Sequence, residues 1–437
     1  MAIHNLFEMD KLIAILFVIY MGTPTMGQQF ITVQQAGFIR NGQPYRFLGA
    51  NFWYGLNLAS NGPGGNRPRL LRELDRLQAL GIDNLRIMGG SEGPDGAPWR
   101  MAPALQPAPG QYNEGLWDAL DFLLAEMAKR EMVAVICLSN FWPWSGGMAQ
   151  YVAWAEGSDI PYPPPAEGGN WLSYMRYSAR FYKNKTALAA YFSHLGKLIN
   201  RTNAYSGIPY KEDPAIMAWQ LANEPRGMFS ARKYRKWIRE SARFIKKLDP
   251  NHLVSVGSEG NTQVPTGNHF KRDHRFPEVD YTTIHIWIQN WQWYDPQEPE
   301  KTYDKALGKA KDYINRHLRF AEKLNKPMVL EEFGIARDYG SHSDTASVFW
   351  RDRYYQDIFN TVFQLAKEGR PMAGCNFWAW GGEGRPRAPL AVWQPGDDFI
   401  GDPPHELQGW YSVYEKDAST LDIIKKYATQ MRLGLQD

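Results

Sequence analysis

Short continuous apolar runs alternate with apolar stripes at helical spacing along most of this chain. Eight such runs occupy residues 47–52, 84–88, 133–138, 216–221, 253–256, 282–287, 328–331 and 373–378. Runs of this kind read as strands. Most are followed by a helical stripe. In the first stripe Leu70, Leu71, Leu74, Leu77 and Leu80 share one face, and Gly81 stops it. Similar stripes run through 116–129, 188–200, 232–248, 303–324, 347–367 and 421–433, whereas none stands out between the fifth and sixth runs. Ahead of the first run, residues 37–47 read as a hairpin around Asn41-Gly42.

Strands alternating with helices predict an α/β fold with a parallel sheet. Eight units in about 400 residues predict a closed (β/α)8 TIM barrel, with an N-terminal β-hairpin and long loops on the catalytic face. An open doubly wound sheet is the alternative, and it lacks its Gly-rich phosphate loop after the first strand. Three insertions, 89–112, 140–184 and 381–412, leave strand ends and so belong to the face where barrel enzymes build clefts. With no linker or repeat, residues 28–437 are expected to form one catalytic domain. Residues 1–27 read as a signal peptide: Lys11, an apolar stretch at 12–21, then small and polar residues to Gly27. The stretch is too short to span a bilayer. The expected product is an exported monomer, secreted or periplasmic, that has left the membrane once the signal is removed.

Composition narrows the function. The net charge is +3 with no basic stripe, which argues against a nucleic-acid partner. There are 17 Trp, and large flat rings both fill cores and stack on sugar faces. Cys137 and Cys375 lie in apolar runs and read as buried core thiols. No His, Cys, Asp or Glu set has metal-ligand spacing, so neither a metal nor a cofactor is expected.

The ends of the eight runs carry the candidate chemistry: Asn51 and Trp53, Arg86, Asn140 and Trp142, Asn223 and Glu224, Glu259, His285 and Trp287, Glu332, and Trp378 and Trp380. In a barrel these converge on one bowl. Two carboxylates, Glu224 and Glu332, suit glycoside cleavage, one protonating the departing oxygen and the other attacking the anomeric carbon. Arg86 is placed to keep Glu332 ionised. Asn223 can donate to a sugar hydroxyl, Trp378 offers a ring platform, and a guanidinium at Arg226 either reaches sugars beyond the cut or is structural, orienting Glu224 or pairing with a nearby carboxylate. Glu259 is read evenly as a third cleft carboxylate or half of a structural ion pair.

Trp-Gln-Leu-Ala-Asn-Glu-Pro-Arg (219–226) and Leu-Glu-Glu-Phe-Gly (330–334) resemble the acid/base and nucleophile motifs of family 5 glycoside hydrolases, clan A. Arg86, His285 with Trp287, and Trp378 fit the same pattern. Residues 139–148 and 376–385 are most similar to the β-mannanase subfamily. The resemblance implies endo-acting, retaining hydrolysis of β-1,4-mannosidic linkages in mannan, glucomannan or galactomannan. Glu224 would be the acid/base and Glu332 the nucleophile, and Trp53, Arg86, Asn140, Asn223, Arg226, His285, Trp287 and Trp378 would bind substrate. A cellulase-type endo-β-1,4-glucanase is the alternative, and a sugar-binding protein without activity the more distant one. Alternation along a strand points Glu331 and Glu332 to opposite sides. The family often has Tyr where Trp287 stands, its hydroxyl on the nucleophile, so the Trp287 indole is the expected donor there.

Overall fold

A computed structural model describes residues 29–262, 266–388 and 390–433. The expected signal peptide lies outside the described residues. Eight parallel strands form one sheet: β1 Phe47–Asn51, β2 Asn84–Met88, β3 Val133–Cys137, β4 Ile216–Gln220, β5 Leu253–Ser255, β6 Thr282–Ile286, β7 Met328–Phe333 and β8 Met372–Phe377. Each expected apolar run supplies one strand. Every residue of these strands is buried, which explains why the runs are continuous rather than alternating.

Around the circle each strand pairs with its sequence neighbours, and β8 pairs with β1. Between β5 and β6 the ladder gives way to three separate hydrogen bonds. The Asp280 N–H donates to the Val254 carbonyl at 2.8 Å, the His285 N–H to the Glu259 carbonyl at 3.1 Å, and the Thr283 hydroxyl to the Ser258 carbonyl at 2.9 Å. The sheet is therefore a nearly closed barrel, and the open-sheet alternative falls away.

The covering helices are α1 Arg67–Ala79, α2 Glu114–Lys129, α3 Lys185–Ile199, α4 Ala231–Leu248, α5 Phe270–Asp273, α6 Pro299–Leu324, α7 Phe349–Lys367 and α8 Ala418–Leu433. Asn66, Asn113 and Asn184 cap α1, α2 and α3 with their side-chain oxygens. Of these eight, α5 alone has no counterpart in the expected stripes, because four residues are too few to show a 3.6-residue period.

Gly37–Arg40 and Gln43–Tyr45 form the expected hairpin, with Asn41 and Gly42 at φ +52° and +75°, as a two-residue turn of this twist requires. Thr32–Gln34 adds a third strand. This small sheet plugs the lower end of the barrel. Its Phe38 and Tyr45 pack with Phe47, Val133, Met217, Leu253, Tyr281 and Val329 in a cluster of their own. Cys137 and Cys375 are buried and unpaired, as expected. Among the described residues no helix is long and apolar enough to cross a membrane.

Candidate active site

The upper ends of β4, β6 and β7 bring three titratable groups together. Donor or acceptor atoms of Glu224, His285 and Glu332 lie within 4.8 Å of one another. Each is placed by backbone that leaves regular geometry. Glu224 follows β4 at φ +46°, an uncommon conformation for a residue with a side chain, and its N–H donates to the Gly257 carbonyl at 2.9 Å. A Cβ at Gly257, itself at φ +76°, would lie 2.0 Å from the Ala222 carbonyl oxygen, so only glycine lets the loop after β5 approach this closely.

The adjacent acids of β7 overturn one expectation. The pairing of β7 with β6 slips between Leu330 and Glu332, so two β7 residues stand opposite one β6 residue, His285. This bulge turns both carboxylates inward, where simple alternation would send one outside. Glu331 lies deeper. Its oxygens accept from the Gln220 amide at 2.9 and 2.7 Å and from the Tyr281 hydroxyl at 3.4 Å. Glu332 lines the cavity.

Arg86 is buried and distributes its donors over four side chains. Nε donates to Gln220 at 2.8 Å, Nη1 to Asn51 at 3.0 Å and to Glu332, and Nη2 to Asn223 at 2.7 Å. A fixed guanidinium in this position holds the Glu332 carboxylate in one orientation. Asn51 in turn donates to the carbonyls of Glu331 at 2.8 Å and Phe377 at 3.2 Å, tying β1 to β7 and β8.

Glu224 is bracketed by donors. Trp142 Nε1 donates to Oε2 at 2.6 Å, while His285 Nδ1 and Trp287 Nε1 reach Oε1 at 2.7 and 3.2 Å. The expected Trp287 contact with the nucleophile is therefore replaced by one with the other carboxylate. His285 Nδ1 is also 3.2 Å from Glu332 Oε2. Burial works against a charge on this imidazole, but Glu332, Glu224 and Glu331 outweigh it and raise its pKa well above the usual histidine range. One imidazole nitrogen thus bridges the two acids.

The cavity above has a volume of about 340 Å³, at the small end of ligand-sized sites. Of the residues expected to bind substrate, Asn223, Arg226, Trp287 and Trp378 line it. Four others do not. Arg86 and His285 lie beneath and orient the acids. Asn140, fully buried, accepts from the Trp142 N–H at 3.0 Å and from the Asn223 amide at 3.2 Å, and donates to Ser145 at 3.1 Å. Trp53 is 2 % exposed, packs on Trp144 and Phe399, and donates to the Gly401 carbonyl at 2.9 Å. Trp380 is buried too, its indole donating to Glu73 at 3.0 Å.

Glu259 resolves into the ion-pair alternative while still facing the cavity. Its oxygens accept from Arg226 Nε and Nη2 at 2.7 and 2.8 Å. The Arg226 guanidinium also lies 4.6 Å from the Trp142 ring. Sequence reasoning missed Trp144, Trp171, Asn290, Trp291, His405, Glu406 and Tyr411, all lining residues. Most lie in the insertions assigned to this face, but nothing in a loop's sequence says which side chains turn inward.

Comparison with known proteins agrees with this geometry. The profile of GH family 5 beta-mannosidase-like proteins matches residues 28–435. The mannan endo-1,4-beta-mannosidase 1 of Solanum lycopersicum is 32 % identical over 80 % of this chain and 83 % of its own length. A glycoside hydrolase family 5 mannosidase from Rhizomucor miehei is 41 % identical, with a TM-score of 0.84 over 92 % of this chain and 97 % of its own. A mutant of that enzyme has been solved in complex with mannosyl-fructose. The endo-beta-1,4-mannanase of Thermotoga petrophila is 26 % identical, with a TM-score of 0.64 over 91 % of this chain and 79 % of its own. A nearly closed eight-stranded barrel, two facing acids at the ends of β4 and β7, and a profile match over almost the whole chain agree: the chain belongs to glycoside hydrolase family 5, among its beta-mannosidase-like members.

Proposed function

We propose that this chain is an exported, monomeric endo-β-1,4-mannanase that cleaves mannan, glucomannan or galactomannan with retention of anomeric configuration. The observation that carries the chemistry is the spacing of Glu224 and Glu332. Carboxylate oxygens of the two acids lie within 4.8 Å of each other, which suits a retaining pair; an inverting pair stands roughly 6.5–9.5 Å apart to leave room for a water between the base carboxylate and the sugar. Curated relatives carrying the mannanase name support mannan over cellulose.

The reaction runs in two displacements. Glu332, fixed by Arg86, attacks the anomeric carbon while Glu224 gives its proton to the departing glycosidic oxygen. Trp378 forms the platform under the reacting ring. A water entering on the vacated side then loses its proton to Glu224 and releases the sugar from Glu332. His285 links the two acids and keeps both aligned as charge moves between them. The test is a reducing-sugar assay on mannan against carboxymethylcellulose, followed by proton NMR of the first product. Turnover of mannan with initial β-product is expected. Preferred turnover of the cellulose derivative would replace the substrate assignment, and initial α-product would overturn retention.

A further inference from the structure

The outer wall of the barrel is unevenly charged. In its 18 residues α4 carries eight Lys or Arg and a single acid, Glu240. Its buried face is Tyr234, Trp237, Ile238, Ser241, Ala242 and Ile245, so the cations gather on the opposite face. Arg232, Lys233, Lys236 and Arg239 are exposed there. Next to α4, α5 and the residues just after it add exposed Lys271, Arg272 and Arg275. The chain's total of +3 hides this face, and the expectation of no basic stripe fails at α4.

A groove of about 620 Å³ lies where α4 faces the segment after α5. Arg232, Lys233, Arg235, Lys236 and Arg239 line one side, and Arg275 and Phe276 the other. No carboxylate lines it, and it shares no residue with the catalytic cavity. Two of its six cations have an acid nearby: Arg235 stands 3.5 Å from Asp273, and Lys236 stands 3.5 Å from Glu240. Burial raises the pKa of Asp273 to about 7, and the second pair is exposed, so neither acid fully cancels its cation. Among the described residues, Arg232, Lys233, Arg239 and Arg275 have no ion-pair partner. Like charges held together in one groove raise the local potential and draw anions.

We propose that this groove is a non-catalytic surface site for an acidic polysaccharide, a 1,4-linked chain of uronic acids. Arg232, Lys236 and Arg239 step along α4 about 5.4 Å at a time, one helical turn. That step is comparable to the length of one sugar, so each turn can meet one carboxylate. Guanidinium forks match carboxylates with paired hydrogen bonds, and the half-buried Phe276 ring offers a flat face to a sugar. A cleft of ligand size suits one slender chain better than a duplex or a lipid surface. Occupied, the site holds the enzyme on an acidic polymer while the bowl stays free to act on an uncharged one.

The probe is decagalacturonate, titrated calorimetrically into the enzyme at low and at physiological salt. The wild type is expected to bind it, and more weakly as salt rises. Arg232→Gln combined with Lys233→Gln and Arg239→Gln weakens binding about tenfold, the scale of three exposed ion pairs lost together. Lys367→Gln combined with Lys425→Gln and Lys426→Gln removes the same charge from exposed positions on α7 and α8 and leaves binding unchanged. Turnover of mannan stays at the wild-type level in both triple variants. No binding by the wild type at low salt, or an equal loss in the two triple variants, overturns the site. Tighter binding of single-stranded DNA of equal charge, or of vesicles containing an anionic lipid, overturns the assignment to a uronic-acid chain.

Discussion

The floor and the rim of the barrel are built by the same eight strands and serve opposite ends. At the floor, Phe47, Val133, Met217, Leu253 and Val329 pack on Phe38 and Tyr45 of the three-stranded plug. Phe47 lies between Tyr45 and Phe38, and its ring occupies the space that a Cβ at Gly374 would need. At the rim, the same strands end in Asn51, Arg86, Gln220, His285, Glu331 and Glu332, all buried and joined by hydrogen bonds. Burying that many polar groups costs stability unless each is paired, and charges in low dielectric interact strongly once paired. The floor stabilises the barrel, and the rim uses the rigidity this confers to hold acids in place.

The sharpest separation comes from the acids. Glu332→Ala should remove turnover on mannan by several orders of magnitude, and Glu224→Ala by about 10²–10⁴-fold, while the melting temperature stays level or rises. On an aryl mannoside with a good leaving group, the glycosylation step of Glu224→Ala should suffer far less. A Glu332→Ala enzyme that keeps a tenth of its activity would move the nucleophile elsewhere and break the division between floor and rim.

Phe47→Ala probes the other end. Loss of a buried ring should cost about 3–5 kcal/mol in denaturant unfolding, with kcat at 25 °C close to wild type. A collapse of kcat in the still-folded variant would mean that the floor steers the chemistry directly.

Acidity draws the line between rim and insertions. Glu92 accepts from the Gly147 N–H at 2.8 Å, pinning the insertion after β2 to that after β3, and burial raises its pKa to about 7. The folded chain then holds this proton where the unfolded chain, with a carboxyl near 4.5, has lost it. Stability contributed by the neutral acid is therefore present at low pH and lost as pH rises from about 4.5 to about 7. Glu92→Gln should flatten this part of the melting profile, an effect of a few kcal/mol at most. An unchanged slope in the variant would show that Glu92 is ionised in the folded protein.

Much of this was legible in one dimension. Strands buried on both faces write themselves as continuous apolar runs, and helices of three turns or more as stripes, so the barrel could be counted from residues 47–378. Asn-Gly at 41–42 declared its turn. Glu224 and Glu332 were readable because each ends an apolar run within a motif of fixed spacing. Trp53 and Asn140 were read correctly as strand-end residues and wrongly as cleft residues, since a run's end gives height along the barrel but not what later loops pile on top.

The sequence by itself determined which segments become strands and helices and which residues reach the upper face, because periodicity and burial act locally. Tertiary structure decided the rest. A slipped register at β7, set by pairing with β6, turned Glu331 and Glu332 to the same side. The Arg226–Glu259 pair joins the ends of β4 and β5, segments 33 residues apart. His405 and Glu406 meet Trp171 only because two insertions, separated by more than half the chain, fold over the same bowl. Loop contacts of this kind depend on side chains brought together by closure of the barrel, and no local pattern encodes them.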